Sequence, residues 1–81
     1  MRSPILMPEV GDRPAVNLWF VEPGDHVYAG DRLIELILEG ATFDVSSPVD
    51  GKLAERAARP GEQPVSGQVL GWIEVESDEF K

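Results

Sequence analysis

Few side chains in this sequence are equipped for catalysis. There is one histidine, His26, and no cysteine. The lack of cysteine removes disulfides, thiolate metal sites and a cysteine nucleophile. His26 lies in Asp25-His26-Val27 beside a turn, the setting of a solvated imidazole. A serine hydrolase would have to pair it with Ser46, Ser47 or Ser66, and none of these sits in a nucleophile elbow. The 15 acidic residues are spread singly, with no Asp-x-Asp-x-Asp-Gly cation loop and no Gly-Lys-Ser/Thr phosphate loop. Trp19, Phe20 and Trp72 fall inside apolar runs, so core packing is expected of them before ligand stacking. Two lysines remain, Lys52 and Lys81, and they carry the only side-chain amines.

With 81 residues the chain makes one domain, read here as 1–81 with a core of about 4–75 and a polar tail at 76–81. Its formal charge of -8 argues against nucleic acid, whose affinity comes largely from neutralising phosphates with Lys and Arg. No run approaches the roughly 18 apolar residues of a membrane span. Pro4 and Pro8 break the apolar start, so no secretory signal is predicted. A cytoplasmic protein, monomeric by itself, is the expectation. Its length, Met1 and polar tail point to a free-standing chain, with an excised module as the alternative.

Eight glycines and seven prolines set the class, because the longest stretch free of both is only Trp72 to Lys81. Interior proline and glycine cost a helix about 3 and 1 kcal/mol, which leaves long helices nowhere to form. Short apolar runs alternate with turns, as in a small all-β fold. The runs are Ile5–Met7, Val16–Val21, Val27–Tyr28, Leu33–Leu38, Thr42–Val45 and Val69–Val75. Residues 52–58 are a weaker strand with helical propensity, and Val65 sits in a short one. Glu39-Gly40 is the best hairpin signal, since glycine takes a positive φ without a Cβ penalty.

The sequence also repeats itself. Pro23-Gly24-Asp25 returns as Pro60-Gly61-Glu62, 37 positions on. At the same offset Gly30 matches Gly67, Leu33 matches Leu70 and Leu36 matches Ile73. Two related halves imply quasi-twofold symmetry.

Several of these segments, in this order, resemble the biotinyl/lipoyl attachment domains. They are Ile5-Leu6-Met7-Pro8-Glu9-Val10-Gly11, Trp19 to Val27 with its Gly24-Asp25 turn, and Ala29 to Glu35. Phe43-Asp44-Val45-Ser46-Ser47-Pro48-Val49-Asp50-Gly51 follows, then Pro60-Gly61 and Val65 to Leu70. The resemblance covers residues 4 to 75. It implies a flattened barrel-sandwich hybrid of two antiparallel sheets with quasi-twofold symmetry, in agreement with the repeat. In that family a lysine at the tip of the central hairpin carries lipoate or biotin through an amide bond.

The family spacing, counted from Gly24 and from Gly51, places that lysine at position 40. Here the residue is Gly40, between Glu39 and Ala41. Lys52 stands twelve residues away, past the Pro48–Gly51 turn, and Lys81 is in the tail. No catalytic residue, metal site or bound cofactor is therefore expected, with lipoate or biotin entering only if an atypical lysine such as Lys52 is modified. The resemblance implies a non-enzymatic docking or accessory module for a 2-oxo acid dehydrogenase or another acyl- or carboxyl-transfer complex. Asp12, Arg13, Glu39 and Asp44 are the candidate recognition residues, and the negative charge suits a partner with a basic surface. The alternative is a genuine carrier module, modified at an atypical site or cut from a larger chain. An efflux-adaptor hammerhead shares this fold, but the long helical hairpins that hold such hammerheads have no counterpart here.

Overall fold

The computed structural model describes residues 1–76 and contains strands and turns only. The strands are β1 (Arg2–Leu6), β2 (Ala15–Trp19), β3 (His26–Val27), β4 (Arg32–Leu38), β5 (Ala41–Ser46), β6 (Gly51–Arg56) and β7 (Val69–Val75). One sheet has the order β1-β7-β6-β3 and the other β2-β4-β5, with every pairing antiparallel. The segment 52–58, ambiguous on propensity, contributes its residues up to Arg56 to the central strand β6, because pairing with both β3 and β7 overrides local helical preference.

The expected symmetry is written in the hydrogen bonds. Gly24 N–H donates to the Leu53 carbonyl, and 37 positions on Gly61 N–H donates to the Val16 carbonyl. Leu53 and Val16 are themselves 37 apart, so each half holds the other's turn. The Asp25 carboxylate caps the Glu22 N–H at 2.8 Å, as Glu62 caps Arg59 at 2.9 Å. Asp31 caps Tyr28 in the same way that Gln68 caps Val65. Gly24 and Gly61 adopt φ of 97° and 93°, the left-handed region that the Pro-Gly turns require.

The core repeats with the backbone. Leu33, Leu36, Val16 and Leu70, Ile73, Leu53 are at most 2% exposed and are equivalent in pairs. Each such side chain contributes about 1.5–3 kcal/mol by leaving water. Leu36 is buried as the strand pattern predicts, whereas its cross-strand partner Phe43 is 42% exposed. Phe43 lies two pairs from the Leu38–Ala41 pair that closes the hairpin. Phe20 is also exposed, and Trp19 and Trp72 are half-buried, so the aromatic residues rim the core more than they fill it.

The symmetry fails at one place. Before it the equivalences run at an offset of 40: Pro8-Glu9-Val10-Gly11 corresponds to Pro48-Val49-Asp50-Gly51, and Gly67 N–H to the Met7 carbonyl matches Gly30 N–H to that of Ser47. After it they run at 37. Asp12-Arg13-Pro14 is thus an insert in the first half. The short strand expected around Val65 is also absent. Its counterpart β3 pairs Val27 with Gly51, whereas the second half has Pro64 at the position of Val27, with no N–H to donate.

Candidate functional site

The hairpin joining β4 to β5 is a two-residue loop. Leu38 pairs with Ala41, and Glu39 and Gly40 form the tip. Both are exposed, and Gly40 has φ 77° with open space where a Cβ would project. Leu36, Leu38 and Val16 anchor the strands below.

The Asp12–Pro14 insert lies against this hairpin. Ala15 pairs with Ile37, and a Cβ on Gly11 would come within 2.6 Å of the Leu38 side chain. Arg13 is the one non-glycine residue with positive φ among the described residues, at 50°. A groove of about 400 Å3 opens behind the insert, lined by Met7, Pro8, Val10, Arg13, Pro64 and Val65 among others. It lies where the missing strand pair would have closed the sheet edge.

Met1 and Val75 lie at the other end of the molecule. β1 pairs Arg2 with Glu74 at its start and Leu6 with Val69 at its close, then leads through Met7 to Gly11 beside the hairpin. Met1 is thus separated from the hairpin end by the whole of β1 and the Met7–Gly11 segment. By the symmetry Met1 and Val75 correspond to Ala41 and Leu38. The Val75 N–H donates to the Met1 carbonyl, and the Met1 ammonium meets Glu74 at 2.9 Å. That hydrogen bond, the ammonium's charge and the nearby Arg2 guanidinium hold the Glu74 carboxyl below the ordinary carboxylate range against a small opposing cost of desolvation.

Of the residues singled out in the sequence, Asp12, Arg13 and Glu39 lie at the hairpin end. Asp44 does not join them. It pairs with Glu35 in mid-strand and meets Arg32 at 3.5 Å, while the Arg32 guanidinium rests 4.5 Å from the Phe20 ring centre. Lys52 is on β6 in the opposite sheet, exposed between cross-strand partners His26 and Glu74. It is the symmetry counterpart of Ala15 and has no place at a turn. His26 meets Glu76 at 3.0 Å, and no group of three or more His, Asp or Glu residues suited to a metal ion occurs among the described residues. Among those residues, too, no helix is long and apolar enough to cross a membrane. The groove and the insert were missed in the sequence because the repeat was scored at one offset. Aligning the two Pro-x-x-Gly segments would have exposed the insert.

This two-sheet architecture with an exposed central hairpin defines a class, the biotinyl/lipoyl-type domains. The family described as biotin-requiring enzyme matches residues 3–73, and the chain belongs to it. It is 37% identical over 75 residues to the lipoamide acyltransferase component of the branched-chain alpha-keto acid dehydrogenase complex of Pseudomonas putida, covering 89% of this chain and 18% of that protein. It is 34% identical over 78 residues to the dihydrolipoyllysine-residue succinyltransferase component of the 2-oxoglutarate dehydrogenase complex of Bartonella vinsonii subsp. berkhoffii, covering 93% and 19%. The chain thus spans less than a fifth of the length of these relatives. The solution structure of the lipoyl domain of the 2-oxoglutarate dehydrogenase complex of Azotobacter vinelandii superposes with a TM-score of 0.66 at 22% identity, covering 95% of this chain and 96% of that one. The fold is shared.

The tip does not fit the group that the family carries. An amide-linked lipoate or biotin needs a primary amine at the turn, and Glu39-Gly40 supplies a carboxylate and a hydrogen.

Proposed function

We propose that this chain is a non-catalytic lipoyl-type module that does not carry the swinging arm at its hairpin and instead docks onto a 2-oxo acid dehydrogenase-type or other acyl- or carboxyl-transfer complex. The observation behind the proposal is Gly40: the turn that presents the lysine in the family is kept in geometry, and its residue has no side chain. Membership of the family and the likeness to acyltransferase components support the choice of complex. Asp12, Arg13 and Glu39 form the recognition edge beside the groove. Asp44 contributes charge on the outer face of β5. The strong negative charge favours a basic partner surface, by steering encounter more than by adding affinity. The domain occupies residues 1–81 and is monomeric and cytoplasmic.

The test is affinity capture of the tagged chain from its own cells. Dehydrogenase or acyltransferase subunits should co-purify, and Arg13→Glu with Glu39→Lys should reduce their recovery. Recovery of the chain with a covalent lipoyl or biotinyl adduct, on Lys52 for example, would overturn the reading in favour of a carrier.

A further inference from the structure

The waist of the molecule holds a second feature that the hairpin does not explain. Trp19 and Arg56 are 37 positions apart, so they are each other's symmetry counterparts and the quasi-twofold axis passes between them. They touch there, with the Arg56 guanidinium 5.9 Å from the Trp19 ring centre, within the range of a cation–π contact. The Trp19 indole N–H donates to the Ala58 carbonyl at 2.9 Å. Gly71 makes room for the ring, since a Cβ there would lie 2.9 Å from Trp19 Cη2.

A notch of about 370 Å3 opens on one side of this stack, lined by Leu18, Trp19, Arg56, Ala58, Arg59 and Pro60. Leu18, Trp19, Ala58 and Pro60 supply its apolar lining, and its two charges are both arginine. Arg2 and Arg32 each meet a carboxylate, whereas among the described residues Arg56 and Arg59 meet none. Two unpaired guanidiniums three residues apart are unusual on a chain of net charge -8. The fold does not demand them. Across the axis the positions equivalent to Arg59 and Leu18 are Glu22 and Glu55, the latter paired with Arg2, so the arginine pair is not repeated there.

We propose that this notch is a docking site for a short acidic peptide segment of a partner. An aliphatic side chain would seat on Leu18, Trp19 and Pro60, and flanking carboxylates would pair with Arg56 and Arg59. The planar guanidinium fork suits carboxylate bidentately, and charge-assisted hydrogen bonds of this kind gain when an apolar floor excludes water. The site is separate from the hairpin, so it stands or falls independently of the proposed loss of the carrier group.

The experiment titrates the full chain with a capped pentapeptide alternating glutamate and leucine, followed by the Trp19 indole N–H resonance. A saturable shift at Trp19 with Trp72 unmoved is expected. It should weaken at least tenfold in Arg56→Gln/Arg59→Gln, and in 0.5 M salt, as screening of partly exposed charges requires. A peptide with glutamine for glutamate should bind at least tenfold more weakly. Arg2→Gln, outside the notch, should bind as the native chain does. No saturable shift, or equal binding by the double variant while its spectrum stays native, would overturn the proposal.

Discussion

The two Pro-x-x-Gly segments have the same signature and different jobs. Gly51 is buried, and a Cβ there would lie 2.2 Å from the Glu74 carbonyl oxygen, so β6 and β7 touch through it. Gly11 is exposed at φ 46°, and a Cβ there would meet only the movable Leu38 side chain. The Pro48–Gly51 segment closes the sheet beside Glu74 and Val75. The Pro8–Gly11 segment opens into the Asp12–Pro14 insert and the groove beside the hairpin. One half of a symmetric fold closes the sheet, and the other half opens it.

The sharpest way to break that comparison is to add a methyl group at each glycine. Gly51→Ala should cost about 3–5 kcal/mol or abolish folding, because backbone cannot move aside as a side chain can. Gly11→Ala should cost about 1 kcal/mol, from its left-handed conformation. Equal losses by denaturant titration would dissolve the distinction. Next come the paired core positions. Leu36→Ala and Ile73→Ala should each cost about 2–5 kcal/mol and agree closely, while Phe43→Ala should cost about 1–2 kcal/mol because its ring is half in water. A Phe43 loss as large as that of Leu36 would place the ring in the core after all.

Gly24→Val and Gly61→Val should follow, at about 1–3 kcal/mol each, since both hold φ near 95° in open space and pay for the conformation alone. Unchanged melting temperatures would refute the turn assignment. The smallest effect is at the Met1–Glu74 ion pair, which joins β1 to β7 at the end of the molecule away from the hairpin. The folded Glu74 carboxyl titrates below its unfolded value, so its contribution is complete above the ordinary carboxylate range and fades as pH falls through that range toward the folded value. Glu74→Gln should therefore flatten the acid side of the stability profile and leave it almost unchanged at high salt, where exposed pairs are screened. An unaltered acid limb at low salt would show the pair to be idle.

The strands and turns were legible because each relies on local chemistry. Pro-Gly turns, Glu39-Gly40 and the nearly continuous apolar run Leu33–Leu38 announce themselves. Even the symmetry could be read, because Leu33, Leu36, Leu70 and Ile73 share one offset. Phe43 was misread because apolar character does not reveal how much sheet lies above a residue. The short strand at Val65 failed because Pro64 stands where Val27 pairs in the first half and has no N–H to donate, which shows only when the two halves are superposed. The arginine notch was invisible for the same reason: Leu18-Trp19 and Arg56–Pro60 meet only when the axis folds one half onto the other.

The central claim is that the hairpin keeps the family's turn and lacks its chemistry. Intact mass spectrometry after incubation with lipoate ligase or biotin ligase, cofactor and ATP tests it most directly, with Gly40→Lys alongside. That variant has open space and only the strain of a positive φ to bear, about 1–2 kcal/mol, and it should gain the mass of one acyl group. The native chain should gain none. A mass increase on the native chain would contradict the account.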